Sequence, residues 1–144
     1  MFRRPHFLLL LAAALVPSLA VTAGAKEPVI YSRIIHSGNM VADKPIEIAL
    51  DLNGVKLDAI TFSGNEAVVV VWNRTPVGVT AHVGIALYDE QDQLIAAESD
   101  SQSIKRTLSK IKPGKAVNLK IKFKKFIPDF KNIAHYKLVF VTKN

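Results

Sequence analysis

Apolar and polar residues alternate along much of this chain with a period of two, the spacing of a strand that buries one face. The clearest case is Pro45–Leu52, where Ile46, Ile48, Leu50 and Leu52 share a face and Glu47, Ala49 and Asp51 take the other. Val117, Leu119, Ile121 and Phe123 alternate in the same way with Asn118, Lys120, Lys122 and Lys124. Between these two lies the stretch around which the rest is organised, Glu66–Ala97. Its run Ala67–Trp72 is apolar on both faces, too short for a membrane span and too β-branched to favour a helix, as expected of an interior strand. Asn73-Arg74-Thr75-Pro76 breaks the run. Val79–Tyr88 then places Val79, Ala81, Val83, Ile85 and Leu87 on one face, Asp89–Gln93 turns the chain, and Leu94–Ala97 returns.

The remaining strands are shorter patterns between turn signals. Pro28–Ile35 reads as a first strand ended by Ser37-Gly38-Asn39. Asn53-Gly54 is a hairpin dipeptide leading into Lys56–Phe62, which Ser63-Gly64-Asn65 closes. Lys112-Pro113-Gly114-Lys115 is a turn, Phe126–Ala134 a loop with at most one helical turn, and Tyr136–Val141 a last strand. Ser99–Ile111 reads equally as a short helix or as a loop with a short strand. About seven to nine strands at this cadence predict an all-β sandwich or barrel rather than alternating βαβ units. The stretch Glu66–Ala97 forms its centre.

Composition adds an address and a charge asymmetry. Arg3 and Arg4, the apolar Phe7–Val16 and the small residues up to Ala25 have the layout of a signal peptide, cleaved after Ala25 or Ala23. The expectation is therefore a leader over 1–25 and a single domain over 26–144, periplasmic or secreted from a bacterium, with no transmembrane span once the leader is gone. There is no cysteine among the 144 residues, which excludes disulfides, zinc fingers, iron–sulfur sites and a thiol nucleophile. The core alone must hold the fold. Net charge is +7, but residues 26–100 hold five Lys/Arg against eleven Asp/Glu, and residues 101–144 hold twelve against Asp129 alone. A basic C-terminal third suits an anionic partner, and export disfavours nucleic acid.

Three pieces of the chain resemble FxLYD-type, immunoglobulin-like domains of bacterial exported proteins. They are Val71-Trp72-Asn73-Arg74-Thr75, the core Ile85-Ala86-Leu87-Tyr88-Asp89 with Gln93-Leu94-Ile95, and Ile111-Lys112-Pro113-Gly114-Lys115. They span residues 68–123. Ile85 stands where such domains carry the name-giving Phe, and Ser99–Ile111 is longer and more basic than the pattern. The resemblance implies an immunoglobulin-like antiparallel sandwich acting as an interaction or structural module. It brings no catalytic residues with it.

The sharpest candidate surface is a lysine row. Lys120, Lys122 and Lys124 share one face of a strand, with neighbours ~7 Å apart, and Lys112, Lys115 and Lys125 lie close in sequence. Two readings fit: an anion- or partner-binding surface, or lysines that keep an edge strand from pairing with its neighbours. Asp89, Glu90 and Asp92 suggest calcium but lack EF-hand spacing, and His36, His82 and His135 show no zinc motif. Neither a G-x-S-x-G elbow nor a glycine-rich phosphate loop is present. Trp72 and Tyr88 could be ligand-binding aromatics, although Trp72, alone at the end of an apolar strand, is expected in the core. The chain thus reads as a non-enzymatic binding or accessory domain with no cofactor and no metal. Its partner is another envelope protein or an anionic envelope component, met through the basic third. The alternatives are a structural subunit that self-associates through acidic–basic complementarity and, last, a metal-binding or hydrolytic domain.

Overall fold

A computed structural model describes residues 31–100 and 110–143. The leader over 1–25, the start of the first expected strand and most of Ser99–Ile111 lie outside the described residues. Eight strands are present: β1 (Tyr31–Asn39), β2 (Ile46–Leu52), β3 (Val55–Ser63), β4 (Glu66–Asn73), β5 (Thr80–Tyr88), β6 (Leu94–Ser99), β7 (Ala116–Lys122) and β8 (His135–Lys143). They form two four-stranded sheets with neighbours β1-β8-β5-β6 and β2-β3-β4-β7, all pairs antiparallel. The chain is an all-β sandwich. It crosses between sheets after β1, β4, β6 and β7.

Alternation makes the two layers. Ala67, Val69 and Val71 of β4 face Val83, Ile85 and Leu87 of β5 and Leu138 and Phe140 of β8 across one buried core. Each of β4, β5 and β8 has a neighbour on both sides, so the segment 66–97 supplies the middle of both sheets. The parity flips once inside β3, where Leu57 and Ile60 are both buried. Register shifts at Leu57/Ala59 and at Glu47/Leu50 account for it, with Ala49 of the edge strand β2 in a left-handed conformation (φ 54°). The Asn53-Gly54 hairpin forms as its residues dictate, with φ of 53° and 87° and Leu52 paired to Val55.

Two boundaries differ from the sequence reading. The strand β1 runs on through Ser37-Gly38-Asn39, which pair with Lys137, Tyr136 and His135. Gly38 is not a stop but a clearance: a Cβ there would lie 2.6 Å from the Tyr136 hydroxyl. The loop before β8 is also less passive than a loop pattern suggests. Ile127 and Phe130, the latter in a single 3-10 turn at Pro128–Phe130, are buried. Phe130 meets Phe62 edge-on at 5.2 Å and Phe123 at 5.7 Å, so the loop plugs one end of the sandwich with an aromatic cluster. Asn65 ties it down, donating from Nδ2 to the Phe123 carbonyl and accepting the Ile127 N–H at 3.2 Å.

Tyr136 packs against Phe62 at 5.2 Å, fully buried, and its hydroxyl finds no hydrogen-bond partner among the described residues. Burial raises the phenol above its ordinary value. The folded chain therefore holds this proton more firmly than the unfolded chain. Its contribution to stability is complete below pH about 10 and is lost as pH rises through the folded value. Tyr136→Phe is expected to leave stability at neutral pH unchanged or raised by up to about 1 kcal/mol, since an unsatisfied buried hydroxyl is removed. It should also flatten the alkaline fall in stability. Urea unfolding of both proteins between pH 7 and 11 measures this, and a neutral-pH loss like that of a broken hydrogen bond would contradict it.

Candidate functional site: a lysine edge and an apolar trough

The strand β7 is the last in its sheet, and its residues alternate as the pattern predicts. Val117, Leu119 and Ile121 face the core; Asn118, Lys120 and Lys122 are exposed. Lys120 lies opposite Val68 and Lys122 opposite Glu66 on the outer face of β4. The strand ends at Lys122, so Lys124 does not share its face as the alternation predicts; Lys124 and Lys125 follow in the segment beyond, just after the buried Phe123. Lys112 and Lys115 sit in the turn before the strand, which closes through the Lys115 N–H donating to the Lys112 carbonyl at 3.1 Å. All six lysines are exposed. They form a stripe rather than a pocket, with the strand alone about 20 Å long.

No lysine of the stripe is in an ion pair among the described residues; the pairs found lie elsewhere, Lys56–Asp58 at 3.1 Å, His135–Asp92 at 2.8 Å and His82 with the buried Asp100 at 3.3 Å. Lys125 donates to the Ile95 carbonyl at 3.3 Å, reaching from the β7 side of one sheet to the edge strand β6 of the other. Glu66 sits opposite Lys122, while Glu47 and Asp51 are exposed on β2, the opposite edge of the sheet. The strand β7 is an edge strand, as the edge-guard reading of Lys120 and Lys122 expects, and both project from its exposed face, as the partner-surface reading asks. The other four lysines lie off the strand.

The other candidates are taken up by structure. The Asp89 carboxylate accepts the Gln91 and Gln93 N–H groups at 3.0 and 2.9 Å and so shapes the β5–β6 turn. Asp92 meets His135, which stacks on Tyr88 with ring centroids 5.1 Å apart. His36 lies against the Tyr136 ring and His82 beside Asp100, so the three histidines are dispersed. Among the described residues no three His, Cys, Asp or Glu side chains come together as a metal site, and no helix is long and apolar enough to cross a membrane. Trp72 departs from expectation. It shares the outward parity of Val68 and Val70, is 40% exposed, and carries the Arg74 guanidinium 5.5 Å above its ring.

Asn73-Arg74-Thr75 is a knot tied around the buried Asn73. Asn73 Nδ2 donates to the Val77 and Ile111 carbonyls at 2.7 and 2.8 Å, and its Oδ1 accepts the Thr75 N–H and hydroxyl at 2.9 and 2.7 Å. Its backbone N–H and carbonyl bond to Lys115 and Gly114. The knot thereby fixes the turn that carries Lys112 and Lys115.

A second surface escaped the sequence reading. The outer face of the β1-β8-β5-β6 sheet holds a shallow trough of about 550 Å³, floored by Gly84, Ala86 and Ala97 and flanked by Ile35, Val139 and Tyr88. Ile35 is 62% exposed there. The signal was present: β5 places Gly84 and Ala86, rather than polar side chains, at outward positions. Comparison of the chain with models of known protein families and with curated proteins gives no match.

Proposed function

We propose that this is an exported, non-enzymatic binding domain of the cell envelope, immunoglobulin-like and of the FxLYD type, that meets an anionic partner along its lysine edge. The observation that carries the reading is the stripe itself: six exposed lysines on the edge strand β7 and the segments that flank it, none ion-paired to a described carboxylate. Edge protection alone asks for one or two inward or outward charges on a strand. It does not call for Lys112, Lys115, Lys124 and Lys125 outside the strand. The immunoglobulin-like part of the reading is supported by connectivity. The strands β4 and β7 are neighbours in one sheet and β5 and β8 in the other, and β4→β5 and β7→β8 cross between sheets, as B→C and E→F do in that fold. Tyr136 near the start of β8 matches the place of a tyrosine corner, although its hydroxyl is unpartnered. The leader over residues 1–25 supplies the address.

Such binding is governed by charge and must weaken as salt rises. Co-sedimentation of the mature domain with envelope fragments and phosphatidylglycerol liposomes across a salt series tests it. Wild type is expected to bind at low salt, and a folded Lys120→Gln/Lys122→Gln/Lys124→Gln variant to lose at least tenfold in affinity. Equal binding by the two proteins, or none by wild type, would leave the lysines as edge protection. A structural subunit is the second reading, favoured by the acidic β2 and basic β7 at opposite edges of one sheet. It requires mass that grows with protein concentration in the absence of any ligand.

A further inference from the structure

Of the four sheet edges, β6 is the least guarded among the described residues. The edge strand β7 carries its lysines, and β2 has Pro45 before it, a register shift and the left-handed Ala49. The outer edge β1 bears Arg33 beside Tyr31 and Ile35. The sequence of β6, Leu-Ile-Ala-Ala-Glu-Ser, has one charge and no proline, and its Ala96, Ala97 and Ser99 are small.

Its free backbone groups can be located. Asp100 N–H donates to the Val83 carbonyl at 3.0 Å, so position 100 bonds inward to β5. In an antiparallel pair inward-bonding residues alternate with outward ones. With Glu98 opposite Ile85 and Ala96 opposite Leu87, the residues whose N–H and C=O face out are Ser99 and Ala97, and then Ile95 at the register shift. The Ile95 carbonyl already accepts a donor from outside the sheet, the Lys125 ammonium at 3.3 Å. Ala97 also floors the apolar trough.

We propose that β6 receives an extended acidic segment of a partner protein as an added strand. This inference rests on the reading of the lysines as a binding surface and names the partner's chemistry. A strand laid along β6 would bond through the backbone of Ile95, Ala97 and Ser99. Its side chains alternate between the two faces. One set lies beside Ala97 and the trough, where apolar side chains fit. The other set lies on the face of Glu98, toward the layer of β7, and there a carboxylate fits at the Ile95 end, where Lys125 reaches across. Charge complementarity chooses this occupant over a second copy of the chain. Two copies joined β6 to β6 would bring two lysine stripes to one seam, where like charges repel.

The test uses a fluorescein-labelled (Val-Glu)4 peptide and the mature domain, read by fluorescence anisotropy. Wild type should bind it. The same peptide N-methylated at alternate residues, with its charge intact, should bind at least tenfold more weakly. Ala97→Pro removes an N–H that faces away from β5, a position where an edge strand tolerates proline. It should lose the peptide to the same extent while keeping liposome binding. Equal affinity for the two peptides would overturn the inference, as would mass that doubles without peptide. If the peptide does not bind and liposomes do, the added strand is wrong and the lysine reading stands. If neither binds, both fall.

Discussion

Replacing Asn73 by alanine lowers the stability of the domain by about 3–4 kcal/mol, the largest loss expected from any single polar side chain of the fold. The change removes the Asn73 donor from the Val77 and Ile111 carbonyls, which keep the Thr75 hydroxyl and the Val79 N–H, and leaves the Thr75 N–H without its acceptor. Four side-chain hydrogen bonds are lost, each worth roughly 0.5–1.5 kcal/mol. Asn73 itself is fully buried, so water reaches the gap poorly. Asn73→Asp is no milder, because it turns an oxygen toward two carbonyls that now receive an N–H. Thr75→Ser, which keeps the hydroxyl, is expected to stay within about 1 kcal/mol of wild type. Urea unfolding checks the series, and a loss under about 1 kcal/mol for Asn73→Ala would show that the knot is not what holds the turn.

Phe130→Ala is the second large effect, about 3–5 kcal/mol by the usual cost of emptying an aromatic site in a core. The ring touches Phe62 and Phe123 and closes the end of the sandwich, where Tyr136 also packs on Phe62. Asn65 holds the loop backbone in place, which limits its collapse into the gap. Thermal unfolding monitored by near-ultraviolet circular dichroism reads both the stability and the aromatic signal. A variant that melts with wild type would mean that the loop rests on the sandwich without plugging it.

These two side chains also mark where the sequence could and could not be read. Alternation located the strands because one buried face is a strong period-two signal, and Asn53-Gly54 placed a turn through its backbone preference. The stretch 66–97 supplies the middle strands of both sheets, as its two-sided apolar run implies. Phe130 was hidden because a plug needs no period: one aromatic after a proline reads as loop until Phe62 and Phe123 come to meet it. Trp72 was misplaced because type outweighed parity; its register with Val68 and Val70 puts it outside. Asn73 looked like a strand end and is one, but its four side-chain bonds depend on Val77 and Ile111, which no local pattern links. The lysine stripe was legible residue by residue. What the sequence left open was where β7 sits, and its edge position brings Lys125 to β6 and leaves the open strand and the trough on the same sandwich.

The central claim is that position, not total charge, makes the lysine edge a binding surface. The most direct measurement compares two variants of equal net charge for binding to envelope fragments and phosphatidylglycerol liposomes at low salt. One carries Lys120→Gln, Lys122→Gln and Lys124→Gln; the other carries Lys44→Gln, Lys56→Gln and Lys143→Gln, away from the stripe. A tenfold or greater loss confined to the first variant is the predicted result, and equal losses in both would contradict the account.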